Sequence, residues 1–167
     1  PTIVHDTSTS PPTVKYRHKH HINTVSFVAF HPSLPLFATG SGDNSIILYD
    51  ISTSPPTVKH HLKHPTNWVH CVAFHPSLPL LATGSWDNST IIYDISTSPP
   101  TIKYNLKHHT SYVSSAAFHL SLPLLTTVSY DQSTILYDIS TSPPTVKHHL
   151  KHHTSMVCSV AFHPSLP

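Results

Sequence analysis

The ten-residue string DISTSPPTVK starts at Asp50 and again at Asp138, and returns as DISTSPPTIK at Asp94. A frayed forerunner, DTSTSPPTVK, starts at Asp6, so that each copy begins 44 residues after the last. A second marker keeps the same step: AFHPSLPL at Ala29 and Ala73, AFHLSLPL at Ala117 and AFHPSLP at Ala161. A fixed period of roughly 20–50 residues is the signature of a repeat architecture, in which one supersecondary unit is stacked until its apolar faces are covered. The period also sorts residues by role. What recurs in every copy builds the repeat, and what differs between copies is free to carry a function.

One repeat, Pro65 to Lys107, shows the unit. NWVHCVAFHP alternates and closes on proline, and LPLLATGSWDN is apolar and ends in turn residues. STIIYDIS is β-branched and aromatic before it breaks into STSPP, and TIKYNLKHH alternates again. Four short β-rich runs about ten residues apart predict a four-stranded antiparallel meander, and nothing supports a long helix. The STSPP stretch returns at fixed length, so it reads as a structured loop, with proline at strand boundaries rather than interiors. Four strands per repeat, set radially, make a β-propeller blade. A single blade has two apolar faces and buries neither alone, so stability is collective. The 167 residues suffice for one domain with a core.

The second repeat's LLATGSWDNSTIIYD, and the third's HHTSYVSSAAFH followed by LLTTVSYDQSTILYD, resemble the WD-repeat β-propeller family. That family's pattern runs Gly-His, Val, Ala-Phe, Leu-Ala-Thr-Gly-Ser, a turn Asp, β-branched residues and Trp-Asp. Here Tyr49, Tyr93 and Tyr137 stand for the Trp, and the Gly-His pair is His20-His21, His108-His109, His152-His153 and His64-Pro65. The resemblance implies an all-β fold of propeller blades. It also implies a hydrogen-bonded brace inside each blade: His21, Ser41, Asp43 and Tyr49, then His109, Ser129, Asp131 and Tyr137. The middle blade keeps Ser85, Asp87 and Tyr93, but Pro65 has no side-chain donor, so this blade is expected to be less well braced. Tyrosine keeps a ring and a donor but packs less area than tryptophan.

The register predicts a single repeat domain over 1–167, with blades at about 22–63, 66–107 and 110–151. Residues 154–163 would supply the innermost strand of a fourth blade, and 2–19 its third and outer strands. Such mixing of chain ends is how the family often closes its ring. The fourth blade would lack its second strand, at the positions matching Leu36 to Asn44, and so leave backbone groups unpaired. The expectation is three full blades plus an incomplete fourth: an open arc, or half of a two-chain ring completed as a homodimer. The first residue is Pro rather than Met, which suggests a window cut from a longer array.

Composition narrows the functional classes. Charged residues are 10% and the formal net charge is +2, without the clustered Lys and Arg of a nucleic-acid surface. The 18 His add positive charge only below about pH 6.5. No apolar run approaches the roughly 18 residues of a membrane span, and no targeting motif stands out. Cys71 and Cys158 are not at equivalent repeat positions, so they read as free thiols of an intracellular protein, cytoplasmic or nuclear. Ser, His and Asp recur together, as in a hydrolase triad, but in tandem copies, one lacking its His; this favours architecture over catalysis. The His-rich outer strands YRHKHH, HHLKHP and HHLKHH could bind zinc, copper or nickel, yet no carboxylate or thiolate interleaves. They read as exposed polar positions that discourage edge pairing. The three glycines make no phosphate loop, and all seven acidic residues are Asp at the repeat's two turn positions. No enzyme activity, cofactor or resident metal is expected.

The resemblance implies that three positions per blade point to the propeller's upper face and touch partners. These are Thr24, Ser26 and Gly42; Trp68, His70 and Trp86; Tyr112, Ser114 and Tyr130; and Met156 and Cys158 in the partial blade. Most other positions repeat nearly verbatim while these vary, and both Trp of the chain fall among them. Trp, Tyr and Met are enriched at interface hot spots. The expected function is a protein-interaction scaffold anchored on Trp68, His70, Trp86, Tyr112, Tyr130 and Met156. Two alternatives stand beside it: a self-assembling repeat without a dedicated ligand, and a His-dependent metal- or pH-responsive binder.

Overall fold

In the computed structural model, residues 2–64 and 67–164 are described. Three consecutive four-stranded antiparallel sheets follow the chain. The first holds β3 (Val25–Phe30), β4 (Leu36–Ser41), β5 (Ser45–Asp50) and β6 (Thr57–Lys63). The second holds β7 (Val69–Phe74), β8 (Leu80–Ser85), β9 (Thr90–Asp94) and β10 (Thr101–Leu106). The third holds β11 (Val113–Phe118), β12 (Leu124–Ser129), β13 (Thr134–Asp138) and β14 (Thr145–Leu150). Each is a meander in sequence order, so each repeat folds as one blade. The first strand of each blade lies against its counterpart in the next, which makes an arc.

Two local devices set these strands. Asp50, Asp94 and Asp138 each accept the N–H and the hydroxyl of the serine two residues on, which folds the STSPP loop back as an Asx turn. His31, His75 and His119 use Nδ1 to accept two backbone N–H groups each, from Ser33 and Leu34, Ser77 and Leu78, and Ser121 and Leu122. The recurring His of the second marker is therefore the organiser of the first turn of every blade. Its ring also faces the next blade: His31 meets Phe74 at 5.1 Å and His75 meets Phe118 at 5.0 Å.

The core lies between blades. Second- and third-strand residues of one blade, Leu36, Ala38 and Leu48, pack on Leu81, Ile91 and Tyr93 of the next. Leu80, Ala82 and Ile92 repeat this against Leu125, Ile135 and Tyr137. Close approach is enforced at Gly40 and Gly84: a Cβ there would stand 2.7 Å from Cγ1 of Val69 and 2.6 Å from Cγ1 of Val113. The third blade carries Val128 at that position.

Among the described residues, the first and last segments do not meet in one sheet. β1 (Thr2–Asp6) and β2 (Thr13–His18) pair only with each other, and Val4 packs on Phe37, Ile47 and Tyr49 of the first blade. Residues 151–164 hold no strand. They lie along the third blade, where the Val157 N–H donates to the Ser129 carbonyl at 3.1 Å and Phe162 meets His119 at 4.9 Å. The tail thus takes the place of a next inner strand without a second strand to pair with. No helix among the described residues is long and apolar enough to cross a membrane.

Candidate interaction face and the braces beneath it

Two polar braces fix the turns at the upper edges of the first and third blades. In the first blade His21 sits between Asp43 and Thr39, with Nδ1 3.0 Å from Oδ2 of Asp43 and Nε2 2.7 Å from Oγ1 of Thr39. The third blade repeats this with His109, Asp131 and Thr127 at 2.9 and 2.8 Å. Burial lowers the pKa of both imidazoles, and their bonds to the carboxylates only partly offset it. The rings are therefore neutral near pH 7: Nδ1–H donates to the carboxylate and Nε2 accepts from the threonine hydroxyl. Burial alone would raise Asp43 and Asp131. Hydrogen bonds from Ser45 or Ser133, from the N–H of Ile22 or Thr110, and from the His outweigh it and hold each carboxyl at about 2.

Membership of the brace differs from the expected set. Ser41 and Ser129 do not face the imidazole; each Oγ accepts the N–H of the turn Asp two residues on. The hydroxyl that meets the ring belongs to Thr39 or Thr127, two residues earlier on the same face of the strand. Tyr49 and Tyr137 stay in the brace through the threonine, since their hydroxyls bond Thr39 and Thr127, and they also meet the preceding histidine: His20 Nδ1 lies 3.2 Å from the Tyr49 hydroxyl and His108 Nδ1 3.3 Å from that of Tyr137. The Ser45 and Ser133 hydroxyls also lie 3.0 and 3.2 Å from Nδ1 of His21 and His109, and each donates its proton to the turn carboxylate. Among the described residues no group of three or more His, Cys, Asp or Glu could hold a metal ion.

The middle blade is the exception. Pro65, expected to weaken it, lies outside the described residues. Asp87 keeps the hydroxyl and N–H of Ser89, and Ser85 Oγ accepts the N–H of Asp87. Yet both ring nitrogens of His64 and the hydroxyl of Tyr93 are buried with no hydrogen-bond partner. Burial, and then the nearby Asp87 charge, push the Tyr93 phenol up to about 12.

Above the braces the variable residues assemble. His70 and Ser114 occupy β-bulges, where the register of each inner strand skips one residue, and Ser26 does the same in the first blade. A bulge re-aims its side chain out of the ladder. His70 Nδ1 reaches the Ser114 carbonyl at 3.2 Å, and Ser114 Oγ donates to the carbonyls of Val128 and Val157. These two therefore serve the seams between blades as well as the face. Within a blade, the backbone bond from the Trp86 N–H to the Trp68 carbonyl, and from Tyr130 to Tyr112, brings the remaining two positions together.

The result is a continuous ring stack. Trp68 and Trp86 stack at 4.5 Å, Trp86 and Tyr112 at 4.8 Å across the seam to the third blade, and Tyr112 and Tyr130 meet at 5.9 Å. Trp68 also lies over Gly42 of the first blade, where a Cβ would meet the indole at 3.1 Å. Tyr112, Tyr130 and Met156 are exposed, and Trp68 and Trp86 are half-buried. Cys158 is exposed, whereas Cys71 is buried and its thiol is pushed up to about 12.

Comparison with known proteins agrees with this geometry. No curated protein sequence matches the chain significantly. Among solved structures, the WD40 repeats of RRP9 superpose with a TM-score of 0.76 at 18% identity, over 84% of this chain and 42% of that one. The structure of U3-55K superposes with a TM-score of 0.75 at 20% identity, over 84% of this chain and 43% of that one. The chain thus spans less than half the length of the structures it matches, and at these identities the likeness concerns the fold. The repeat pattern itself is matched at residues 12–50, 56–94 and 100–138, which together cover more than half of the sequence. These matches, on blades with this order and these inter-blade seams, place the chain in the WD domain, G-beta repeat family.

Proposed function

We propose that the chain is a non-enzymatic scaffold that binds another protein on its upper face, through the stack Trp68–Trp86–Tyr112–Tyr130 with His70 and Met156 at its margins. WD40 propellers generally serve as protein-interaction scaffolds, which supports the class of function. The observation that carries the site is the stack itself. It is an aromatic surface held rigid by backbone bonds and by its own stacking, so a partner orders few side chains on binding. Large, pre-ordered aromatic groups are the usual anchors of protein interfaces. The free thiols Cys71 and Cys158 accord with an intracellular setting.

The test is a quantitative comparison of partner capture by the wild type and by a Trp68→Ala, Trp86→Ala variant. Both sites lie on the edge of the blade rather than in its core, so the fold should survive, as checked by a cooperative urea transition. Loss of at least one captured partner by tenfold or more is expected. Unchanged capture of every partner by a folded double variant would remove the site assignment.

A further inference from the structure

The aromatic stack covers the faces of its own indoles. Trp86 is held between Trp68 and Tyr112. Trp68 is held between Trp86 and Gly42, where a Cβ would meet indole Cδ2 at 3.1 Å and Cε2 at 3.2 Å. These two atoms form the bond that both indole rings share, so an atom touching both lies over the ring face. What Trp68 and Trp86 turn to solvent is therefore their edges. A ring edge carries the positive side of the aromatic quadrupole. Each indole also has one N–H, which can only donate. Neither N–H bonds a described residue, and neither is among the buried groups without a partner, so both are open to a ligand.

The stack is also uncharged. All nine Lys and Arg stand on β2, β6, β10 and β14, the last strand of each sheet, or one residue past its end. The cation–π contacts among the described residues are Lys15 with Tyr16 and Lys103 with Tyr104, both on those strands. The seven Asp are engaged at turns. Asp6, Asp50, Asp94 and Asp138 hold the serine two residues on. Asp43, Asp87 and Asp131 do the same beneath the face, two of them with a histidine as well.

We propose that the segment bound on this stack is proline-rich and free of charged residues, held as a polyproline II helix. This deepens the reading of the upper face as the binding site and rests on it. A ligand for ring edges and N–H donors must bring acceptors. Helices and strands use their carbonyls in their own ladders, whereas a polyproline II segment has no internal hydrogen bonds and leaves every carbonyl free. Its proline rings supply apolar surface, and its preformed conformation leaves little entropy to lose on binding. Aromatic-lined surfaces take such segments in other recognition domains.

Other segments fit less well. A phosphorylated or acidic one meets no cation at the rings. A Lys- or Arg-rich one needs an open ring face or an unengaged carboxylate, and both indoles have their faces covered.

The probe is fluorescein-labelled decaproline, titrated into the intact protein by fluorescence anisotropy. It should bind saturably, and alternating Glu-Pro and Lys-Pro peptides of the same length should bind at least tenfold more weakly. The Trp68→Ala, Trp86→Ala variant should lose decaproline binding while keeping its cooperative urea transition. Trp86→Phe keeps a ring in the stack but removes one N–H, and should weaken binding about fivefold, the worth of one hydrogen bond. The proposal would be overturned by no saturable binding of decaproline, by equal binding of either charged peptide, or by unchanged binding to the folded double variant. If that variant loses a captured partner while decaproline does not bind the wild type, the interaction face stands and its proline-rich occupant falls.

Discussion

Gly84→Val should destabilise the protein by about 3 kcal/mol, at the upper end of what overpacking a close-packed interior costs. A Cβ at this position falls 2.6 Å from Cys71 Sγ, 2.6 Å from Val113 Cγ1 and 3.0 Å from Val113 Cβ. The last of these is fixed to the backbone of the next blade, so relief requires the second and third blades to move apart. That movement would open the cluster in which Leu80, Ala82 and Ile92 meet Leu125, Ile135 and Tyr137. It would also strain the stack between Trp86 and Tyr112, which bridges the same seam. Urea denaturation followed by tryptophan fluorescence reports the loss. Val128→Gly should also cost about 3 kcal/mol, by the opposite route: Val128 is 1% exposed, and the change empties a buried site as well as loosening the strand. If Gly84→Val were as stable as wild type, the blades would not approach as closely as the structure has them.

Asp131→Ala should cost about 3 kcal/mol as well, by a different route. One carboxylate accepts four donors: Ser133 Oγ, the Ser133 and Thr110 N–H groups, and His109 Nδ1–H. Removing it leaves buried donors unpaired, at about 1–3 kcal/mol for a buried group and less than additively within one network. The same carboxylate gives the protein an acid limit. The folded pKa values of Asp43 and Asp131, about 2, lie below the ordinary 3.8. A depressed pKa contributes stability that is complete above 3.8 and is lost as pH falls toward 2. Burial likewise holds His21, His64 and His109 below the ordinary 6.5, so their share is complete above that pH and declines as the solution becomes more acid. The urea midpoint should therefore fall in two windows, one beginning below pH 6.5 and one below 3.8. Asp131→Ala should flatten the second. A wild-type midpoint that stays constant from pH 7 to pH 3 would contradict the brace as described.

The four-stranded blades and their strand order were legible in the sequence because the 44-residue period writes the same strand pattern three times. The brace was legible only in part. Ser41 and Ser129 precede the turn Asp and look like partners of the histidine, but strand alternation puts Thr39 and Thr127 on the same face, nearer the ring. The role of Gly40 and Gly84 was hidden because the third copy carries valine, which reads as drift until the neighbouring Val69 and Val113 are seen. The marker histidines His31, His75 and His119 recur without exception, yet nothing local shows that each caps its own turn, or that His31 and His75 touch the next blade and His119 the tail. The aromatic stack was missed for the same reason. Its residues can be placed on one face from the register, but Trp86 and Tyr112 stack across a seam between repeats.

The described residues form three blades and a two-stranded sheet in an open arc, with no closed ring among them. Sedimentation equilibrium of the 167-residue chain at micromolar concentration tests this most directly. A single species at the monomer mass of 18.5 kDa is predicted. A discrete species at twice that mass, persisting on dilution, would show two copies closing on one another and would contradict the account.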